Sequence, residues 1–161
     1  MKKKDKKKVL FISSTGGHLS EMLRLKSMFD KYDYSIITEK DKSTVALTDK
    51  YKGRVHYLIY GTKDHMLTYP FKLLANCFKS LYFYSKIRPK YIITTGAHTA
   101  GPMCCIGKIL GSKIIYIETF ANIESKTATG RLIYLFADLF IVQHPEMLKL
   151  YPKATYGGWI Y

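Results

Sequence analysis

The sequence predicts an α/β fold, a doubly wound parallel sheet, and three observations carry that expectation. Six short runs rich in β-branched residues recur along the 161-residue chain, at 9–13, 34–38, 55–60, 91–95, 113–117 and 139–143. Most are almost wholly apolar rather than alternating, as suits strands covered on both faces of a parallel sheet. Segments with helical spacing separate them, so strand and helix alternate.

Each element has its own warrant. Residues 1–8 form a lysine-rich tail, and 9–161 read as a single domain. After the first strand, 19–29 places Leu19, Met22, Leu23, Leu25 and Met28 on one broad apolar stripe, which predicts a helix. The strands 34–38 and 55–60 follow. Residues 99–110 are small and apolar, with Thr99 placed to cap the helix and Gly111 standing where it should stop. A short helix over 130–137 leads to the last strand.

The segment 66–86 is a separate matter. Lys72, Lys79 and Lys86 recur every seven residues, so on a helix they share a face that drifts only about 20° per heptad. Phe71, Leu74, Ala75, Phe78, Leu81 and Tyr82 are expected opposite them. Together with Met66, Leu67, Tyr69, Phe83 and Tyr84, this composition reads as a basic amphipathic helix at a membrane surface, with Lys72, Phe78, Lys79, Phe83 and Lys86 as its contacts. The alternative is a helix packed on its own sheet with a solvated lysine face.

Charge and composition bound the function. Hydrophobic residues make up 47% of the chain, enough for a core, and the net formal charge is +14. Ten of those excess charges fall in 1–8 and 63–90, which implies a phosphate-rich partner, either nucleic acid or an anionic membrane. No helix-turn-helix, zinc-finger or RNP-type aromatic motif supports nucleic acid. Only four apolar residues, 9–12, follow the basic start, too few for a signal peptide. No run approaches the roughly 18–20 apolar residues that span a bilayer. Three cysteines, two of them adjacent, form neither a disulfide framework nor a zinc spacing and suit a reducing cytosol.

Two loops carry the candidate chemistry. Ser13-Ser14-Thr15-Gly16-Gly17-His18-Leu19 closes the first strand and opens the first helix, the position where open α/β sheets bind ligands. Its glycines let backbone approach a ligand, and helix-start N–H groups attract phosphate. The loop is neither G-x-G-x-x-G nor a P-loop, which disfavours nicotinamide and ATP. Thr94-Thr95-Gly96-Ala97-His98-Thr99-Ala100-Gly101-Pro102 repeats the logic after the fourth strand. Thr95 and Thr99 there offer hydroxyls to phosphate or sugar. Glu118, closing the fifth strand before Asn122, is either a carboxylate beside the two histidines or a structural acceptor of loop N–H groups. No nucleophile elbow, Asp-x-Asp pair or metal spacing is present, so neither a metal nor a cofactor is expected.

Taken in order, 14–18, 95–102, 116–121 and the run from Ala137 to Glu146 resemble the membrane-anchor subunit of the dolichol-linked UDP-N-acetylglucosamine transferase. They are more similar still to its bacterial relatives in capsule and exopolysaccharide synthesis. The likeness runs from about Val9 to Tyr161, and the first two loops also resemble the acceptor half of the lipid II-forming peptidoglycan transferase. It implies a Rossmann-like domain equivalent to the N-terminal half of a GT-B glycosyltransferase, with a separate donor-binding subunit as partner. It implies a lipid-diphosphate-linked sugar acceptor, held by Thr15, Gly16, Gly17, Thr95, Gly96, His98, Thr99, Gly101 and Asn122, with His18 or Glu118 as base. The expected chemistry is transfer of a hexose from a UDP-sugar to an undecaprenyl-diphosphate-linked sugar, by a subunit inactive or weak alone. Where the eukaryotic anchors carry a transmembrane helix, this chain has the lysine tail, so peripheral attachment at the cytoplasmic face is expected. A noncatalytic scaffold for the donor subunit is the alternative, and a nucleic-acid-binding domain a weaker one.

Overall fold

The computed structural model describes residues 6–61 and 68–160. Seven strands form one parallel sheet in the order β3-β2-β1-β4-β5-β6-β7, confirming the α/β class. The strands are β1 (Lys8–Ser13), β2 (Asp33–Glu39), β3 (Val55–Leu58), β4 (Tyr91–Gly96), β5 (Lys113–Ile117), β6 (Leu139–Val142) and β7 (Thr155–Tyr156). The helices are α1 (Gly17–Arg24), α2 (Leu47–Lys50), α3 (Tyr69–Ile87), α4 (Ala100–Ile109) and α5 (Ala128–Tyr134). The strand order reverses beside β1, whose neighbours are β2 and β4. The carboxyl ends of β1 and β4 therefore stand side by side at the switch point, where such sheets bind ligands.

The apolar runs become buried strands because helices cover both faces. Val9, Phe11, Ile36, Ile93 and Ile117 pack under α1, while Leu10, Ile12, Ile37, Ile92 and Ile114 pack under α3 and α4. One face of each strand feeds one of these two cores.

Several boundaries differ from expectation for identifiable reasons. The helix expected over 19–29 ends at Arg24 and continues as a 3-10 segment, Leu25–Lys31. There Phe29 packs edge-on to Phe11 and stacks on Tyr34, and that packing overrides a continuous α-helical stripe. The third strand stops at Leu58 because the Asn76 side chain of α3 takes both backbone groups of Ile59. It accepts the Ile59 N–H at 2.8 Å and donates to the Ile59 carbonyl at 2.9 Å. Thr127 caps α5 by accepting the Gly130 N–H, so that helix starts two residues earlier than the spacing suggests. β7, two exposed residues at the sheet edge, carries no apolar signature.

α3 is turned inside out relative to an ordinary sheet-packed helix. Its buried positions are Asn76, Ser80 and Tyr84. Phe71, Leu74, Phe78, Leu81 and Tyr82 face outward, Phe71 at 75% exposure. The three lysines do not lie opposite this stripe. At 100° per residue Lys72 and Lys79 directly follow Phe71 and Phe78, so they border the stripe along one flank. Phe83 is not part of it: half-buried, it packs against the core with its ring 5.0 Å from that of His56. Met66 and Leu67 lie outside the described residues.

The basic stretches meet at the far end of the sheet from the loops. The Lys90 N–H donates to the Lys8 carbonyl, and the Lys113 N–H donates to the Lys90 carbonyl, so three strands begin with adjacent lysines. Arg54, just before β3, and Lys6 also line this amino-terminal edge. Among the described residues, no helix is long and apolar enough to cross a membrane.

Candidate functional site

The two glycine–histidine loops come together at the switch point. A register shift after Ile12 pairs Ser13 with Gly96, and the Ser14 N–H donates to the Gly96 carbonyl at 3.1 Å. Gly16 caps α1 with φ +78°, a conformation that favours glycine. Methyl groups at Gly16 or Gly17 would meet nothing within 4 Å, so this corner is open. The first-turn N–H groups of α1 face it without intrahelical acceptors, as at any helix start.

His18 leans against the second loop. A side chain at Gly96 would lie 3.3 Å from the His18 ring and 3.4 Å from the Tyr116 hydroxyl, so the glycine is what lets the loops close on each other. Thr95 Oγ1 donates to the His18 carbonyl at 2.7 Å. His18 Nδ1 is buried without a hydrogen-bond partner among the described residues.

At the centre stands a residue that the motifs did not single out. Glu39, the last residue of β2, is 2% exposed. Its Oε2 accepts from the Thr15 N–H and hydroxyl at 3.3 and 3.4 Å, and its Oε1 accepts from the Thr99 hydroxyl at 2.6 Å. Ser14 Oγ donates in turn to Thr99 Oγ1, and His98 Nε2 lies 3.7 Å from Glu39 Oε1. One carboxylate thus ties β2 to both loops. Its signal in the sequence was positional: a carboxylate closing the strand beside β1, level with Ser13–Thr15.

This network engages the hydroxyls of the threonines singled out in the second loop. Thr99 precedes α4 but makes no side-chain cap, because its hydroxyl goes to Glu39. Thr95 spends its donor on His18. Both hydroxyl protons are thus taken up within the protein. His98 sits with its ring 5.7 Å from that of Tyr69, and Gly101 is buried in α4 facing Leu132.

Glu118 is enclosed rather than open. It is 1% exposed, and it accepts from Tyr151 Oη at 3.2 Å, Thr127 Oγ1 at 3.3 Å, Tyr116 Oη at 3.4 Å and the Thr119 N–H at 3.2 Å. Burial pushes its carboxyl above the usual range, against the pull of those donors. Burial likewise raises the Tyr116 and Tyr151 phenols, with the nearby carboxylate adding to the effect. Asn122 is occupied locally, donating to the Ser125 carbonyl and accepting from Ser125 Oγ at 3.1 Å. No group of three or more His, Cys, Asp or Glu that could hold a metal ion occurs among the described residues.

The family described as oligosaccharide biosynthesis protein Alg14 like matches residues 9–160. The chain belongs to that family. Among curated relatives of the family, the UDP-N-acetylglucosamine transferase subunit alg14 of Schizosaccharomyces pombe is 30% identical, over 98% of this chain and 85% of its own length. The human subunit ALG14 is 25% identical, over 94% of this chain and 82% of its own length. Among solved structures, Acinetobacter baumannii MurG shares the fold with a TM-score of 0.71 at 18% identity, over 86% of this chain. The UDP-GlcNAc 2-epimerase of Methanocaldococcus jannaschii does so with a TM-score of 0.62 at 12% identity, over 84%. The chain spans about two-fifths of the length of either of these two structures. Its sheet is thus the Rossmann-like kind found in these larger enzymes.

Proposed function

We propose that the chain is the acceptor-binding, membrane-associating subunit of a two-component glycosyltransferase. A donor-binding partner subunit supplies the UDP-sugar. The acceptor is a sugar on a lipid diphosphate, with undecaprenyl as carrier, in capsular or exopolysaccharide synthesis at the cytoplasmic face of the cell membrane. The observation that carries this reading is the pairing of two glycine–histidine loops at the switch point of the sheet, with an open helix start between them. Family membership and the relatives named as transferase subunits support it. The outward apolar stripe of α3 and its lysine flank support peripheral attachment.

In this reading the acceptor diphosphate sits at the start of α1, held by the N–H groups of Gly16 and Gly17. The acceptor hydroxyl attacks the sugar's anomeric carbon as the bond to UDP breaks, and its proton passes to a base. His18 is better placed for that role than Glu118, whose oxygens are already surrounded by hydroxyls. In the reconstituted pair, His18→Ala is expected to lower turnover by roughly 10²–10⁴-fold. Turnover within a few-fold of wild type would remove His18 from the base role.

The scaffold alternative draws on one observation: Thr95, Thr99, Glu39 and Glu118 commit polar groups to internal contacts. Assaying the partner alone on a soluble acceptor analogue separates the two readings, since full activity without this chain favours the scaffold.

A further inference from the structure

The two glycine–histidine loops differ in what they offer a ligand. In the second, the donors turn inward. The Gly96 N–H goes to Thr94 Oγ1 at 3.0 Å, and the Ala97 N–H to Ser14 Oγ at 3.4 Å. The Ala100 and Gly101 N–H groups go to the Ala97 and His98 carbonyls, at 3.1 Å each. The Thr95 and Thr99 hydroxyls are spent on His18 and Glu39. Phosphate oxygens only accept, so a loop with its donors engaged holds them poorly. The first loop opens a helix, whose leading N–H groups lack intrahelical acceptors.

What the second loop leaves open is an imidazole. The His98 side chain is 32% exposed, and its Nε2 faces the buried Glu39 carboxylate, 3.7 Å from Oε1. That carboxylate draws the ring proton to Nε2 and leaves Nδ1 as an acceptor lone pair. Among the described residues nothing bonds to His98 Nδ1, and it is not enclosed, whereas His18 Nδ1 is. A lone pair repels phosphate oxygens and takes a hydroxyl proton. The Tyr69 ring, 5.7 Å away, flanks the imidazole on the α3 side.

Glu39 also links this ring to the first loop. Its other oxygen accepts from the Thr15 N–H and hydroxyl, so one carboxylate separates His98 from the residue that precedes Gly16. The Ser14 N–H meets the Gly96 carbonyl along the same edge. These contacts cross the carboxyl ends of β1, β2 and β4, and a ligand lying over that edge reaches both loops.

We propose that His98, oriented by Glu39, is a subsite for a hydroxyl of the acceptor sugar, while the diphosphate stays at the first loop. This rests on the diphosphate reading given above. Glu39 is a positioning residue, since it meets His98 and the loops rather than the ligand. The acceptor then lies in one direction, diphosphate at the start of α1 and sugar towards His98.

The experiment uses the full chain at about pH 8, above the ordinary histidine range. Long-range proton–nitrogen correlation reads the tautomer of the His98 ring. Titrations use methyl diphosphate and its glucosyl, galactosyl and N-acetylglucosaminyl esters as probes. The ring is expected as the Nε2–H tautomer in the wild type and as a mixture in Glu39→Gln. Every probe is expected to move the Gly16 and Gly17 amide signals, and only the glycosyl esters the His98 ring signals. The best glycosyl ester is expected to bind roughly five- to tenfold tighter than methyl diphosphate. His98→Phe should bring the two within about twofold while leaving methyl diphosphate affinity unchanged to about twofold; should that variant not fold, the wild-type tautomer and ring signals decide. An Nδ1–H or doubly protonated ring, a tautomer unchanged in Glu39→Gln, equal binding of all probes, or a glycosyl preference that survives His98→Phe overturns the subsite and leaves the diphosphate reading standing. If no probe moves Gly16 and Gly17, the diphosphate reading falls and the subsite with it.

Discussion

Gly130→Ala sets two effects of opposite sign against each other. Gly130 lies within α5, where alanine is favoured over glycine by about 1 kcal/mol. On helix propensity alone the substitution stabilises. The structure reverses that sign, because the added methyl would lie 2.5 Å from Glu118 Oε2 and 2.6 Å from both Thr127 Oγ1 and Tyr151 Oη. All three belong to the network that satisfies the buried carboxylate, and Thr127 also caps the helix through the Gly130 N–H. Displacing two hydroxyl donors from a buried charge costs roughly 1.5–3 kcal/mol each, so the net destabilisation is expected at about 2–5 kcal/mol after the propensity gain of about 1 kcal/mol. For a chain of this size that lowers the melting temperature by roughly 4–20 °C. Urea unfolding followed by circular dichroism measures it, with an unchanged slope expected if only the native state is affected. A Gly130→Ala protein as stable as wild type or more so would refute the enclosure of Glu118 and reopen it as a base.

Three further outcomes follow from the geometry. Glu39→Ala leaves the buried Thr99 hydroxyl without its acceptor, so a loss of about 1–3 kcal/mol is expected in urea unfolding, with Glu39→Gln milder; equal effects from the two would argue against the hydroxyl contacts. Phe71→Ser with Phe78→Ser should leave unfolding stability within about 0.5 kcal/mol of wild type while weakening sedimentation with anionic vesicles, because both rings are exposed. Asp138 is pushed upward by partial burial, but Lys113, the Ile114 N–H and Lys108 outweigh this and hold its carboxyl at about 2. A depressed carboxylate stabilises above its unfolded value and loses that contribution as pH falls through the folded one. Acid unfolding between about pH 4 and pH 2 should therefore be shallower in Asp138→Asn, by about 1–2 kcal/mol after allowing for the exposure of Lys113.

The sheet was legible in the sequence because strands buried on both faces must be apolar throughout, and six of seven carry that mark. β7 does not, since two exposed edge residues have nothing to bury. Where β3 stops was hidden, because its terminator is the amide of Asn76, 17 residues from Ile59. The two glycine–histidine loops were legible as glycines following strands. Glu39 was not, because a carboxylate after an apolar run looks like a solvated strand end until β2 is placed beside β1. Likewise the Thr99 hydroxyl looked like a cap, and only the neighbouring strand shows that a stronger acceptor captures it.

The Asn76 contact has a consequence beyond the end of a strand. A helix that leaves five bulky apolar residues outward while burying an Asn and a Ser is not what water alone would select. Two hydrogen bonds from one amide act as a rotational key, fixing which side of α3 meets the sheet. Each large side chain kept out of the core forgoes about 1.5–3 kcal/mol of burial. That stabilisation is deferred rather than lost, and it becomes available when the stripe meets an apolar surface. Residue 76 thus divides a single hydrophobic gain between what folding uses and what α3 would keep for a surface that covers it.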